Sequence, residues 1–428
     1  MCIRDRTFTE EGVYDFFCSF HATQDEDGNW QGMVGTLVVG DAEAVDDTDG
    51  EAADVPTEWT GTTRSVPEDY PTIQSGVDAA EPGDLVLVGP GVYKETVTVT
   101  TPGLTLRGTD RNEVILDGEF TRENGVFVLA DGVAVENMTA RSYTTNGFFW
   151  NGVTGYRGSY LTAIDNRVYG IYAFNSVDGL FEYSYASGSF DGGYYIGQCR
   201  PCNAVIANSV AEYNGMGYSG TNSSTEIYLV NNEFGYNQSG IVPNSLDSEL
   251  LPPVGEVYIG GNYIHDSGLD KEVAPYNSNA YAAIGNGIIL AGSLDSVVEK
   301  NLVVNSTGSG IQANSMIDAN LWPSERNTIR DNVILGSKRA DVAIGGPLQS
   351  GSCVEGENGE TTVPSLLDFT ASCDGFVWPM PWGMATSSEP LARFVEYTLG
   401  GESPMQPGDA PDPELSFENL PSGAEVVP

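Results

Sequence analysis

The stretch "NGFFWNGVTGYRGSYLTAIDNRVYGIYAFN", residues 146–175, holds two copies of one short pattern, "NGFFWN" and "YGIYAFN", in which a glycine precedes alternating residues. Extending outward gives "NGVFVL" before it and "GGYYIG", "MGYSGTN", "SGIVPN", "NGIILAG" and "SGIQAN" after it. The anchoring glycines are Gly125, Gly147, Gly170, Gly193, Gly217, Gly240, Gly287 and Gly310, at intervals of 22, 23, 23, 24, 23, 47 and 23. The long interval contains two insertions, around "LDSELLPPV" and "LDKEVAPYNSNAYAAI". A fixed period built from short strands and Gly/Asn turns, with no helices between them, marks a solenoid in which each repeat is one coil.

A second series closes strands with asparagine: "VIANSV", "LVNNEF", "IGGNYI", "VEKNLV" and "IRDNVI". This aligns Asn208, Asn232, Asn262, Asn301 and Asn332 in one column. Asparagine tolerates the left-handed backbone region and can hydrogen-bond to the copy above, so the column is expected to be a structural ladder.

The opening "TIQSGVDAAEPGDLVLVGPGVYKETVTV", with "LTLRG" and "VILDG" after it, resembles the N-terminal cap and first coils of right-handed parallel β-helix proteins of the pectate-lyase-like superfold. The resemblance spans residues 65–346 and implies an all-β solenoid of about ten coils, a rod of roughly 50 Å at the stacked-strand spacing. That fold hosts lyases, hydrolases, esterases, epimerases and binders, so function has to come from side chains. The paired-Asp and Gln set of pectin methylesterases, the clustered aspartates and G-H-G of polygalacturonases, and the D-P-H of alginate epimerases have no match. The nearest stretch to the last is "IHDSG".

Within each strand, side chains alternate between the interior and the outside. The second residue after each glycine is expected to face out, which gives Phe127, Phe149, Tyr172 and Tyr195 on four consecutive coils. Such a column suits the apolar faces of sugar rings in a linear polysaccharide; the alternative is rings that merely stack on one another. Asp165, Asp191 and Glu212 flank this face as candidate acid and base groups. His265, beside Asp266, is a further candidate base, expected at a surface turn.

The chain carries 60 acidic and 18 basic residues, a formal charge of −42 spread among Gly, Asn, Tyr and Val. This charge disfavours nucleic acid and anionic membranes as partners and suits a saline environment. Cys199 with Cys202 and Cys353 with Cys373 form two close pairs without nearby histidines, which favours disulfides over zinc. Disulfides place the protein outside the cytosol: extracellular, periplasmic or at the cell surface. No apolar run reaches membrane-spanning length, and a monomer is expected.

The N-terminal "YDFFCSFHATQDEDGNWQGMVGTLVVGD" sets Cys18, His21 and Met33 in an order that fits the soft ligand set of blue copper. "YDFFCSFH" and "GMVGTLVVG" resemble the last two strands of the cupredoxins, the plastocyanin, halocyanin and azurin family, over residues 7–41. The resemblance implies that these three residues are copper ligands serving electron transfer with a redox partner protein. Two departures stand out: an acidic insert, "ATQDEDGNWQ", and no counterpart of the family's other histidine. Residues 1–6 read as a non-native junction, so residues 1–41 are expected to be the end of a larger cupredoxin domain. Residues 42–64 read as an acidic linker and 347–428 as an irregular cap with an acidic tail. Three readings follow: a copper protein fused to a carbohydrate-contacting β-helix, a polysaccharide lyase, hydrolase or epimerase, and a structural surface rod.

Overall fold

Short strands, many of them ended by a left-handed corner, do not pair with their immediate neighbours in sequence and instead pair with the same strand one turn later. The computed structural model describes residues 61–268, 283–345, 350–356, 358–365, 367 and 370–373 in full, and the backbone of residues 368–369 and of strands Gly12–Gln24 and Trp30–Val39. The N-terminal junction, most of the 42–64 linker and the C-terminal tail lie outside the described residues. The two N-terminal strands pair antiparallel and belong to a compact unit separate from the coils.

The coils form a parallel β-helix. Three sheets of twelve, ten and eleven strands run along it, and each coil between the two ends gives one strand to each. Registers are strict: Asn146 pairs with Tyr169, Tyr169 with Gly192, Gly192 with Met216 and Met216 with Ser239. Inward residues stack in columns such as Ala163, Ala186, Ala211, Phe234, Ile264, Val303 and Ile334, all buried. The bulkiest core side chains are Trp150, Tyr143, Tyr156, Tyr194 and Tyr218.

Helix Ile73–Asp78 closes the first coil. Thr72 and Ser75 form a reciprocal capping box, and Ile73 and Val77 are buried. The Glu95 carboxylate accepts the otherwise orphan N–H groups of Ile73 and Gln74 at 3.0 and 3.1 Å. No helix among the described residues is long and apolar enough to cross a membrane.

The asparagine ladder exists with one rung corrected. The amides of Asn262 and Asn301 are held by Asn301 Oδ1 and Asn332 Oδ1, each at 3.0 Å. Asn208 stands one place earlier, at the corner with φ 51°, and Ser209 occupies the rung below Asn232. Both places favour asparagine, the corner for its left-handed tolerance and the rung for its amide, so "NN" and "NS" align ambiguously.

The solenoid also runs past residue 346. Thr328 pairs with Cys353 and Val342 with Thr362, and helix Leu367–Thr370 follows. Both cysteine pairs are disulfides, Cys199–Cys202 and Cys353–Cys373, the latter tying the last coil to the segment after that helix.

Candidate active site

The outward face of the eleven-stranded sheet carries the aromatic column in register. Phe127, Phe149, Tyr172 and Tyr195 are successive partners, followed by Ser219 and Val242. Phe127 and Phe149 stack at 4.9 Å between centroids, Phe149 and Tyr172 at 4.4 Å, and Tyr172 meets Tyr195 edge-on at 4.8 Å. The first three rings are half-buried. Tyr195 is fully buried, which corrects the expectation of four exposed rings.

The first insertion covers Tyr195. Its hydroxyl lies 2.6 Å from both carboxylate oxygens of Glu249. The loop is pinned by two left-handed corner residues: Asn222 Nδ2 donates to the carbonyls of Leu246 and Glu249 at 2.7 and 2.9 Å, and Gln198 Oε1 accepts the Leu250 amide at 2.8 Å. Asp247 takes the amide and side chain of Asn320 at 2.7 and 2.6 Å, linking the loop to the hairpin of Met316–Ile317 and Leu321–Trp322. Further along, Met216, Val242, Ile289 and Ala291 are buried outside the core, packed with Ala283, Ile284 and Met316. The sheet face is therefore open where its aromatic rings are and roofed beyond them.

At the junction stand Tyr195, Glu249, Tyr169 and Asp191. Tyr169 packs 4.8 Å from Tyr195 and 4.5 Å from Tyr172, and hydrogen-bonds to Asp191, which is buried. Burial pushes the Glu249 carboxyl up to about 7; the Tyr195 hydrogen bond pulls against this and the Asp191 charge adds to it. Burial, with Tyr169 and Glu249 beside it, raises the Tyr195 phenol well above its ordinary value. A carboxyl that titrates near neutrality, touching a phenol and near a second carboxylate, can give and take protons.

The remaining candidates lie elsewhere. Asp165 is a corner residue with φ 51°, in the series Ser142, Asp165, Gly188, Tyr213, Tyr236 and Asp266. Glu212 and His265 sit on the ten-stranded sheet, where Tyr185 donates to Glu212 at 3.3 Å. His265 is buried, not at the surface: Nδ1 lies 2.9 Å from Asp266 and Nε2 3.1 Å from Glu233, with Tyr263 stacked at 4.3 Å. Burial opposes its charge, but Glu233 and Asp266 outweigh it and hold the imidazole pKa above its ordinary value. Sequence reasoning missed Glu249 and Tyr169. Tyr169 was accessible as the residue before Gly170; for Glu249 the only signal is that the insertion interrupts the repeat beyond this column.

This chain is a parallel β-helix protein whose aromatic face ends in a cluster of two carboxyl groups and two phenols. No protein-family model matches it, and no curated protein does. Among solved structures it is similar to the A-module of mannuronan C-5 epimerase AlgE6 from Azotobacter vinelandii, with 15% identity over 68% of this chain and 86% of that one and a TM-score of 0.46. It is also similar to pectate lyase Pel9A, with 13% identity over 73% and 77% and a TM-score of 0.35. A third is the Dettilon tailspike protein, with 12% identity over 70% and 68% and a TM-score of 0.44. These superpositions are loose, so function is sought in this chain's own side chains.

Proposed function

We propose that the protein binds a carbohydrate polymer along Phe127, Phe149 and Tyr172 and cleaves it hydrolytically where the column meets Glu249 and Asp191. The observation that carries this reading is the in-register column of half-buried rings ending on the Tyr195–Glu249 pair. Glu249, protonated up to about neutral pH, gives its proton to the glycosidic oxygen as the bond to the sugar carbon breaks. Asp191 serves as the second carboxylate, assisting the water or the developing charge. Tyr195 holds Glu249 in place and stabilises it once it has lost the proton. A chain of charge −42 repels uronates, so the preferred polymer is a neutral glycan. The two disulfides suit an oxidising compartment, where such polymers are met.

The test is retardation in gels containing single polysaccharides at high salt, with reducing-end release measured on the same samples. Retardation with release that Glu249→Gln abolishes supports hydrolysis. Unsaturated products absorbing in the ultraviolet indicate a lyase, and retardation without products indicates a binding module.

A second reading concerns copper at the N-terminus. The antiparallel ladder pairs Phe17 with Val34 and Ala22 with Gly32, so residues 18–21 stand opposite Met33 alone. Cys18 and His21 thus lie within the irregular stretch of one strand that faces Met33 on the other; their side chains lie outside the described residues. A thiolate, an imidazole and a thioether suit copper, which would supply one-electron chemistry when bound. An intense thiolate-to-copper absorption on adding copper(II), lost in Cys18→Ser, is the expected result.

A further inference from the structure

Three successive strands of the ten-stranded sheet build a cluster apart from the aromatic face. Glu212 ends strand Val210–Glu212, Glu233 opens Glu233–Gly235, and His265 ends Tyr263–His265. The register stacks Glu212 on Gly235 on His265, and Val210 on Glu233 on Tyr263. Gly235 therefore lies between the first carboxylate and the imidazole, and its missing side chain makes the room: a methyl there would collide with His265 Nε2. Tyr263 stacks on the ring and Tyr236 meets it edge-on at 4.8 Å, so its orientation is fixed. Asp266 takes Nδ1, which leaves Nε2 facing Glu233 at 3.1 Å. One ligand atom from each of Glu212, Glu233 and His265 lies within 4.8 Å of the others.

We propose that Nε2 of His265 and a carboxylate oxygen from each of Glu212 and Glu233 bind one divalent first-row transition-metal ion, zinc being the probe of choice. Imidazole with two carboxylates suits such ions and disfavours calcium and magnesium, which prefer oxygen alone. Three protein ligands leave a position for water. Asp266 plays the outer partner that fixes the tautomer of a metal-bound histidine. The ion would tie three coils on a different sheet from the proposed sugar column, and this inference does not depend on that column.

The test uses the untagged full-length chain carrying Cys18→Ser and His21→Ala, so that the N-terminal donors cannot contribute. Zinc is titrated against a chromogenic chelator in excess calcium, and cobalt(II) binding is followed by its visible spectrum. The expected result is one zinc per chain, with affinity weakened roughly tenfold or more by His265→Ala and by Glu233→Gln. Because His265→Ala could also disturb packing, Glu212→Gln at a half-exposed position is the second variant, with metal-free melting as control. No stoichiometric zinc, zinc displaced by calcium, or zinc binding unchanged in all three variants would overturn the proposal. So would binding seen only when Cys18 and His21 are restored.

Discussion

The Tyr195 hydroxyl sits 2.6 Å from both carboxylate oxygens of Glu249, a residue 54 positions later that arrives on an inserted loop. That one contact seals the open stretch of the sheet face and couples a buried phenol to a carboxyl titrating near neutrality. A hydrogen bond from a neutral phenol favours the ionised carboxylate, so its removal has a definite sign. In Tyr195→Phe the Glu249 pKa rises further. If Glu249 is the proton donor, glycan cleavage falls as pH rises through about 7, and the variant moves that limb to higher pH. A pH–rate profile that stays in place would remove Glu249 from the mechanism.

The same shift predicts a stability trend. The folded-state value of about 7 lies above the ordinary 4.5, so the contribution is fully present below the ordinary value and is lost as pH rises through about 7. Urea midpoints should therefore drop between mildly acid and mildly alkaline pH. Glu249→Gln, which cannot ionise, should flatten that part of the curve.

The aromatic column gives a separable prediction. Edge and face contacts of this kind contribute ~0.5–1.5 kcal/mol each. Phe149→Ala or Tyr172→Ala should weaken polymer binding by roughly threefold to tenfold. If the rings only support each other, both variants melt lower while retardation by every polymer is unchanged or absent.

The repeat was legible because its glycine spacing and its strand alternation are local signals. They mark the coils and the outward side of Tyr195, while the two close cysteine pairs point to both disulfides. What alternation cannot show is what lies over an outward residue: Tyr195 faces out of the coil and is still buried, because residues 246–253 return across it. Glu249 was illegible for the same reason, since a loop residue acquires its partner only when Asn222 and Gln198 pin the loop. His265 read as a surface turn because nothing local reveals that Tyr236 and Tyr263 enclose it.

The asparagine ladder is testable at Asn301. Its Oδ1 accepts the Asn262 amide at 3.0 Å, and its Nδ2 donates to the Ile259 carbonyl at 3.0 Å. Asn301→Ala leaves both buried groups unpaired and should cost about 1–3 kcal/mol. Asn301→Asp keeps the acceptor but loses the donor and buries a charge, so at neutral pH it should be at least as destabilising. Hydrogen exchange should locate the loss at Asn262 and its neighbours.

Packing inside the coil sets a sharper limit at Gly179. The ring of Tyr156 lies directly over this glycine, so a methyl there would overlap it. The ring cannot retreat easily, because Trp150 and Phe181 pack against it at 6.2 and 5.3 Å and all three are buried. Gly179→Ala should therefore destabilise by about 1–3 kcal/mol through overpacking alone. Gly83→Ala is the contrast: nothing stands near its added methyl, but φ is +86°, so its cost of about 1–2 kcal/mol comes from the backbone. A cycle separates the two causes. Tyr156→Leu makes room at Gly179, and in its presence Gly179→Ala should lose most of its penalty, whereas Gly83→Ala should cost the same with either residue at 156. Equal, additive losses for both glycines would mean that the ring is not what confines Gly179.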